Sequence, residues 1–251
     1  MNQGNIIATR PNKTIYRDGD TCVKLFCKGY SKADILNEAL NQARIEEDVP
    51  SLHIPKVLSV TTIDGQWAII SQFIEGKTLS QLMAEHPERR EEYLERLVDI
   101  QLSIQANTCI RLNRLKDKMR MKIDQTGLDA TTRYDLHTRL ESMREHRKVC
   151  HGDFHPSNVI ITPDDVPYII DWAHVTQGNA SADVARTYLL FCLQGEKELA
   201  EKYLTLFCQK SDTARQYVQK WMPIVAASQS VKGNEAERSF LLRWVDVVEY
   251  Q

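Results

Sequence analysis

Residues 151–172 constrain the fold of this 251-residue chain more than any other segment. Two short apolar runs, Val159–Ile161 and Tyr168–Ile170, flank a Thr-Pro-Asp-Asp sequence, which predicts a strand, a turn and a strand. Asn158 lies directly before the first run and Asp171 directly after the second. Because a hairpin brings its outer ends together, we expect these two side chains to lie near each other.

The polar residues of this segment have the spacing of a kinase catalytic loop. His151, Asp153 and Asn158 fit the pattern H-R-D-L-x-x-x-N, and Asp171 follows at the position of the metal-binding Asp of D-F-G. Glycine in second place and Trp172 after the metal aspartate resemble the aminoglycoside phosphotransferase and choline kinase-like family, in which H-G-D-x-x-x-x-N and I-D-W recur. The resemblance covers most of the chain, although its specificity is concentrated in these two motifs. It implies a protein kinase-like two-lobe α+β fold and Mg-ATP-dependent phosphorylation of a hydroxyl group on a small molecule.

The resemblance also implies a role for each of these residues. Phosphoryl transfer passes through a loose transition state, so the protein mainly aligns groups and neutralises phosphate charge. Asp153 would bind the acceptor hydroxyl and take its proton. Asn158 and Asp171 would supply oxygen ligands to Mg²⁺. The alternative makes Asp153 a turn residue and Asn158 a helix cap.

Two histidines accompany the catalytic aspartate in this loop. We expect His151 to orient the loop, as its counterpart does in kinases. His155 occupies the position where protein kinases often have a lysine near the γ-phosphate, so it is a candidate contact for phosphate or for the acceptor hydroxyl. A hydrogen-bonded structural histidine remains the alternative.

The first 75 residues are predicted to form a small strand-rich lobe with one main helix. Runs rich in Val, Ile and aromatic residues, separated by turn signals, predict strands at Asn5–Ala8, Thr21–Cys27, Lys56–Thr62 and Trp67–Ile74. Ser31 is the predicted cap of the helix, with Asp34 in its first turn. The predicted apolar stripe of this helix consists of Ile35, Leu36, Ala39, Leu40 and Ala43.

Gly76 ends the strand pattern and marks the predicted domain boundary. Residues 1–75 would form the nucleotide-binding lobe, and residues 76–251 a larger, mostly helical lobe with the catalytic loop and the acceptor site. Helical spacing of apolar residues continues to about residue 147 and resumes after Asn179. Asp183, near the start of that later helix, resembles a downstream family aspartate and is expected to be a structural or capping residue.

Lys24 stands inside an otherwise apolar predicted strand, where an inward-facing lysine needs a partner. In kinases the corresponding lysine binds the α- and β-phosphates and pairs with a helix glutamate, which implies that role for Lys24. Glu38 is the chosen partner, because it flanks the apolar stripe and Asn37-Glu38-Ala39 resembles the family sequence. Glu46 is its rival, and a solvent-exposed position for Glu38 is the alternative.

The strand end at Gln72, Phe73 and Ile74 resembles the segment with which the family reads the adenine edge. The resemblance implies backbone contacts from the Gln72 carbonyl and the Ile74 amide, whereas the alternative is an ordinary strand leading into a helix. No glycine-rich G-x-G-x-x-G loop precedes Lys24, and the turn at residues 10–14 has no glycine. This departure argues against a typical protein kinase.

Composition narrows the classes of partner. A formal net charge of -2 provides no general attraction to nucleic acid or to an anionic membrane. The sequence shows neither a signal-peptide pattern at its start nor an apolar run long enough to span a membrane, so we expect a cytoplasmic protein. The six cysteines include no C-x-x-C pair, and neither a zinc site nor a disulfide framework is predicted.

The expected acceptor is a small hydroxyl-bearing molecule rather than a peptide. Only 11 residues separate Asp171 from Asp183, too few for the long activation segment of a protein kinase. Residues 107–147 carry ten Lys and Arg against six Asp and Glu, which favours a neutral, zwitterionic or anionic acceptor over a polycation. A minimal protein kinase and a nucleotide-binding pseudokinase are the rival hypotheses.

Overall fold

The computed structural model describes residues 5–231 and 235–245. The chain divides into two compact units. The first comprises the residues up to Pro87 together with Pro156–His174, and the second comprises Glu88–His155 and the residues from Val175 onward. The hairpin of the catalytic segment therefore belongs to the first unit, whereas the residues directly before it belong to the second. The domain boundary at residue 75 stays a prediction.

The described residues contain ten strands and nine α-helices. The strands are β1 (Asn5–Arg10), β2 (Lys13–Asp18), β3 (Thr21–Phe26), β4 (Val57–Ile63), β5 (Gln66–Gln72), β6 (Lys77–Thr78), β7 (Lys148–Cys150), β8 (Val159–Ile161), β9 (Pro167–Ile169) and β10 (Thr176–Gly178). The helices are α1 (Lys32–Asp48), α2 (Leu79–Glu85), α3 (Arg90–Gln105), α4 (Leu115–Asp124), α5 (Ala130–Ser142), α6 (Ala180–Leu193), α7 (Lys197–Ser211), α8 (Arg215–Ser230) and α9 (Glu235–Leu242).

An antiparallel five-stranded sheet, in the order β1-β2-β3-β5-β4, is the framework of the first unit. Helix α1 packs on it through a small core that includes Phe26, Ile35, Ala39 and Ile69. The cap prediction for α1 is confirmed, because the Ser31 side chain accepts a hydrogen bond from the Asp34 amide at 3.3 Å.

The predicted apolar stripe of α1 is wrong in part. Leu36 and Leu40 are 42% and 48% exposed, while the buried face of the helix includes Glu38 and Gln42. These polar residues tolerate burial because they have partners: Gln42 Nε2, for instance, donates to the Pro55 carbonyl at 2.6 Å. The face predicted from hydrophobicity alone therefore overlaps the buried face at Ile35 and Ala39 but extends to the exposed side at Leu36 and Leu40.

The predicted hairpin of the catalytic segment is present as β8 and β9, with Val159 opposite Ile169. Its turn is closed by a 3.0 Å hydrogen bond from the Thr162 amide to the Val166 carbonyl. β6 adds a third strand to this small sheet by pairing with β8. The hairpin is thus held within the first unit by its own strand pairing.

Helices dominate the second unit, in which α6 packs against both α7 and α8. The apolar residues that recur at helical spacing along α3 and α5 are buried: Leu94, Leu97, Val98, Ile104, Leu136 and Leu140. A β-rich first unit with α1 and a mostly helical second unit confirm the α+β class. Within the described ranges, no helix has both the length and the hydropathy needed to cross a membrane.

Candidate active site

Lys24 lies on β3, the central strand of the large sheet, with its side chain largely buried. Strand pairing places it opposite Ile15 on one side and Ile69 on the other. Its Nζ donates a 2.7 Å hydrogen bond to Glu38 Oε1 and lies 3.5 Å from Asp171 Oδ1. Burial lowers the pKa of Lys24, but the adjacent carboxylates of Asp171 and Glu38 raise it by more, so the net shift is upward. The ammonium group therefore stays charged at neutral pH.

Of the two candidate glutamates, Glu38 is the one that pairs with Lys24. Glu38 is buried on the sheet-facing side of α1. Glu46 lies two turns further along the helix, and its Oε2 accepts a 3.0 Å hydrogen bond from the Val57 amide. Glu46 thus fixes the end of α1 to β4, while Glu38 holds the strand lysine.

A second lysine, Lys13, lies beside the same carboxylates. Its Nζ is 3.7 Å from Glu38 Oε1 and 3.9 Å from Asp171 Oδ2. Sequence reasoning missed it because the start of β2 was assigned to a turn. Lys13 pairs with Phe26 across β2 and β3, so alternate residues of both strands share the face that carries Lys24. The residue types at Thr14, Ile15 and Tyr16, which favour strands, were the signal that could have revealed the strand and its lysine.

Asp171 follows the hairpin in a left-handed backbone conformation, with φ of 63°. The amide of Ile170 donates a 3.0 Å hydrogen bond to the Asn158 carbonyl, so the backbones at the two ends of the hairpin meet. The proximity of the Asn158 and Asp171 side chains stays a prediction. Trp172 is fully buried, and its indole donates to the Ile169 carbonyl at 2.9 Å. This anchored ring holds the chain immediately after Asp171.

The oxygen groups of Asn158 and Asp171 fit a magnesium ion that is shared with a nucleotide. Mg²⁺ usually binds through one or two protein groups, several waters and substrate phosphates. The Asp171 side chain is 31% exposed and faces two lysines, which are suitable partners for phosphate oxygens. Among the described residues, no group of three or more His, Cys, Asp or Glu side chains could hold a metal alone.

The strand end predicted to contact adenine is ordered by bonds to neighbouring backbone. The Gln72 amide donates to the Lys56 carbonyl and the Phe73 amide to the Asp20 carbonyl, both at 2.9 Å. Arg17 stacks over the Phe73 ring, with 4.1 Å between the guanidinium carbon and the ring centroid. Because the Phe73 amide is used internally, it does not compete with the predicted contacts from the Gln72 carbonyl and the Ile74 amide.

The loop at residues 151–155, in the second unit, follows β7 and is bound to the first turn of α6. Asp183 accepts hydrogen bonds from the amides of Gly152 at 2.7 Å and His151 at 3.3 Å. Gly152 has φ of 82°, a conformation that favours glycine at this position of the loop. Asp183 is therefore a structural residue, as expected, while the side-chain cap of α6 is Asn179.

His151 is fully buried, and its ring stabilises the loop that it begins. Nδ1 accepts a 3.3 Å hydrogen bond from the Asp153 amide, and the ring meets Phe154 edge-on at 5.8 Å between centroids. One turn along α6, Thr187 Oγ1 donates to the Phe154 carbonyl at 2.8 Å. These contacts agree with an orienting role for His151.

The Asp153 carboxylate lies next to two basic side chains of the second unit. Arg186 Nη2 donates to Asp153 Oδ1 at 3.1 Å, and His155 Nε2 is 3.8 Å from Asp153 Oδ2. Sequence reasoning missed Arg186, although its place three residues after Asp183 on the same helix was a usable signal. His155 therefore lies near the proposed base, while its contact with phosphate stays a prediction.

The fold resembles solved small-molecule kinases over almost the whole chain. Aminoglycoside phosphotransferase APH(4)-Ia is 17% identical with a TM-score of 0.72, and the match covers 96% of this chain and 90% of that one. Choline kinase LicA from Streptococcus pneumoniae is 14% identical with a TM-score of 0.65, covering 98% and 92%. Aminoglycoside-3'-phosphotransferase of type VIII is 16% identical with a TM-score of 0.62, covering 98% and 91%. These likenesses define a kinase-like α+β fold.

A sequence profile places the chain within one enzyme family. The profile of the Phosphotransferase enzyme family (APH) matches residues 12–217. Among curated protein sequences, none matches at a significant level. This chain belongs to the APH phosphotransferase family.

Proposed function

We propose that this protein uses Mg-ATP to phosphorylate a hydroxyl group of a small molecule. The observation that carries the proposal is the buried cluster in which Lys24 Nζ lies 2.7 Å from Glu38 and 3.5 Å from Asp171. In kinases a strand lysine that is held by a helix glutamate in this way binds the nucleotide phosphates, and the charged ammonium group of Lys24 suits that role. Nucleotide binding by structurally similar proteins supports this: a thermostable mutant of APH(4)-Ia was solved with AMP-PNP and hygromycin B, and LicA with AMP.

On the nucleotide side, Lys24 would bind the α- and β-phosphates while Glu38 fixes its ammonium group. Lys13 would add a second cation on the same face of the sheet. The Gln72 carbonyl and the Ile74 amide would bind the adenine edge through the backbone. Asn158 and Asp171 would hold Mg²⁺, which when bound supplies charge neutralisation at the phosphates.

On the acceptor side, Asp153 would accept a hydrogen bond from the reacting hydroxyl. As the oxygen forms its bond to the γ-phosphorus, the bond from phosphorus to the bridging oxygen of ADP breaks, and the hydroxyl proton moves to Asp153. Asp183 and His151 would keep this carboxylate aligned, because both bind the backbone of the loop that carries it.

The short segment between Asp171 and Asp183 favours a small acceptor over a peptide. The residues between them form a short 3₁₀ turn at Trp172–His174, strand β10 and the start of α6. This stretch provides none of the extended activation segment on which a protein kinase binds a peptide. The intact set of Lys24, Asp153 and Asp171 also argues against a pseudokinase, which could lose these groups.

A mass-spectrometric screen of hydroxylated metabolites and antibiotics with Mg-ATP tests the proposal. A phosphate-sized mass gain on one of the small molecules is expected with the native protein, and it should disappear with EDTA or with Asp171→Asn. Phosphorylation of a generic peptide mixture instead would favour the minimal protein kinase. Calorimetric ATP binding without any phosphorylated product would favour the pseudokinase.

A further inference from the structure

Arg186 lies next to Asp153, the proposed base, and has no role in the phosphoryl transfer proposed above. Its side chain, on α6, is 16% exposed, and one terminal nitrogen donates to Asp153 at 3.1 Å. Its Nε is buried and has no hydrogen-bond partner within residues 5–231 and 235–245. Burying a guanidinium nitrogen without a hydrogen-bond partner costs free energy. An acceptor oxygen on a bound ligand would offset that cost.

Arg186 provides a permanent positive charge next to Asp153. Asp183, one turn earlier on the helix, is engaged by the loop amides. His155 lies against the opposite carboxylate oxygen of Asp153. An acceptor whose hydroxyl reaches Asp153 would therefore meet a guanidinium group beside it.

We infer that Arg186 selects acceptors with an anionic group, a carboxylate or a phosphate, close to the reacting hydroxyl. The inference rests on the proposed function and narrows its substrate class. Arginine binds a carboxylate or a phosphate through paired N–H donors. It would repel an acceptor that carries an ammonium group in the same position. Through its hydrogen bond to one oxygen, Arg186 also fixes the orientation of the Asp153 carboxylate.

Three alcohols that share a three-carbon frame separate charge from shape: glycerate, glycerol and 3-amino-1,2-propanediol. The first test observes the arginine Nε–H signals of the ¹⁵N-labelled native protein during titration with each alcohol. The Arg186 signal is assigned by its loss in Arg186→Lys. Glycerate should shift this signal saturably, whereas the amino alcohol should leave it unchanged at equal concentration. No shift with glycerate, or an equal shift with the amino alcohol, would overturn the inference.

The second test measures phosphorylation of the same alcohols with Mg-ATP. Arg186→Met should reduce the preference for glycerate over the amino alcohol by about tenfold or more, since a close like-charge contact is removed. Arg186→Lys should retain the preference, and Arg215→Met is the matched control because Arg215 pairs with Glu201 elsewhere in the second unit. An unchanged preference in Arg186→Met contradicts the inference.

The two tests separate failure of the inference from failure of the proposed function. The titration needs neither ATP nor turnover, so a negative result there removes the role of Arg186 and leaves phosphotransfer possible. A glycerate-dependent shift without any phosphorylated product in the wider screen would contradict the proposed function alone.

Discussion

Lys24 and Asp171 form an ion pair, with 3.5 Å between the ammonium nitrogen and the nearer carboxylate oxygen. The lysine comes from the central strand of the large sheet and the aspartate from the end of a separate hairpin. Each carries a charge that offsets the charge of the other. A magnesium-bound nucleotide would give both a new partner, since its phosphates suit the lysine and its metal suits the aspartate.

Replacing Lys24 with Met should weaken ATP binding about tenfold or more, because a charge-assisted contact with phosphate is lost. The rate of phosphorylation should fall as well. Calorimetric titration with Mg-ATP measures the first effect, and Lys28→Met, an exposed position after the same strand, is the control. Equal ATP affinity in Lys24→Met and the native protein would show that Lys24 does not bind the phosphates.

Asp171→Asn should abolish turnover while leaving the fold in place. Asn tolerates the left-handed conformation of residue 171 about as well as Asp does, so the backbone is not strained by the change. Asp171→Ala should instead lower the free energy of unfolding by about 1 kcal/mol through strain. Thermal unfolding and product formation at saturating Mg²⁺ measure the two effects. Near-native activity of Asp171→Asn would rule out the metal assignment.

Gly76→Ala should destabilise the first unit by about 2 kcal/mol or more. Gly76 has φ of 152°, and an added Cβ would lie 2.3 Å from the Ile161 carbonyl oxygen on β8. Gly127→Ala is the matched control, because its Cβ would meet no atom within 4 Å. Urea denaturation of both variants measures the difference, and equal stability would show that the close contact is easily relieved.

Asp183→Ala should lower the free energy of unfolding by about 3 kcal/mol, because it leaves the amides of His151 and Gly152 without their acceptor. A looser loop should also lower kcat about tenfold, since Asp153 loses its alignment. Asp183→Asn retains an acceptor oxygen, so its free energy of unfolding and its kcat should both fall less. If Asp183→Ala matches the native protein in denaturation, the structural role is refuted.

The predictable part of the site lay in residues whose spacing reflects local geometry. The hairpin between Asn158 and Asp171 and the Ser31 cap follow from turn and cap residues. The choice of Glu38 over Glu46 as the partner of Lys24 depended on the family resemblance as well as on helix position. The resemblance to a family supplied the roles of these residues. It could do so because its motif is contiguous in sequence.

What sequence reasoning missed depends on contacts between distant elements. Lys13 entered the cluster through the register of β2 against β3, and Arg186 reached Asp153 from a helix 33 residues later. The buried face of α1 was misjudged because Gln42 is stabilised by a hydrogen bond to the Pro55 carbonyl, which hydrophobicity does not report. Such partners become visible only when the chain is folded.

Asp153→Ala tests the central claim most directly, because the account separates this carboxylate from nucleotide binding. Calorimetric titration with Mg-ATP and steady-state kinetics would be measured on one preparation, with the exposed Asp124→Ala as control. We predict native ATP affinity together with a fall in kcat of about 10² or more. A parallel loss of ATP binding, or a kcat near the native value, would contradict the assignment of Asp153 as the base.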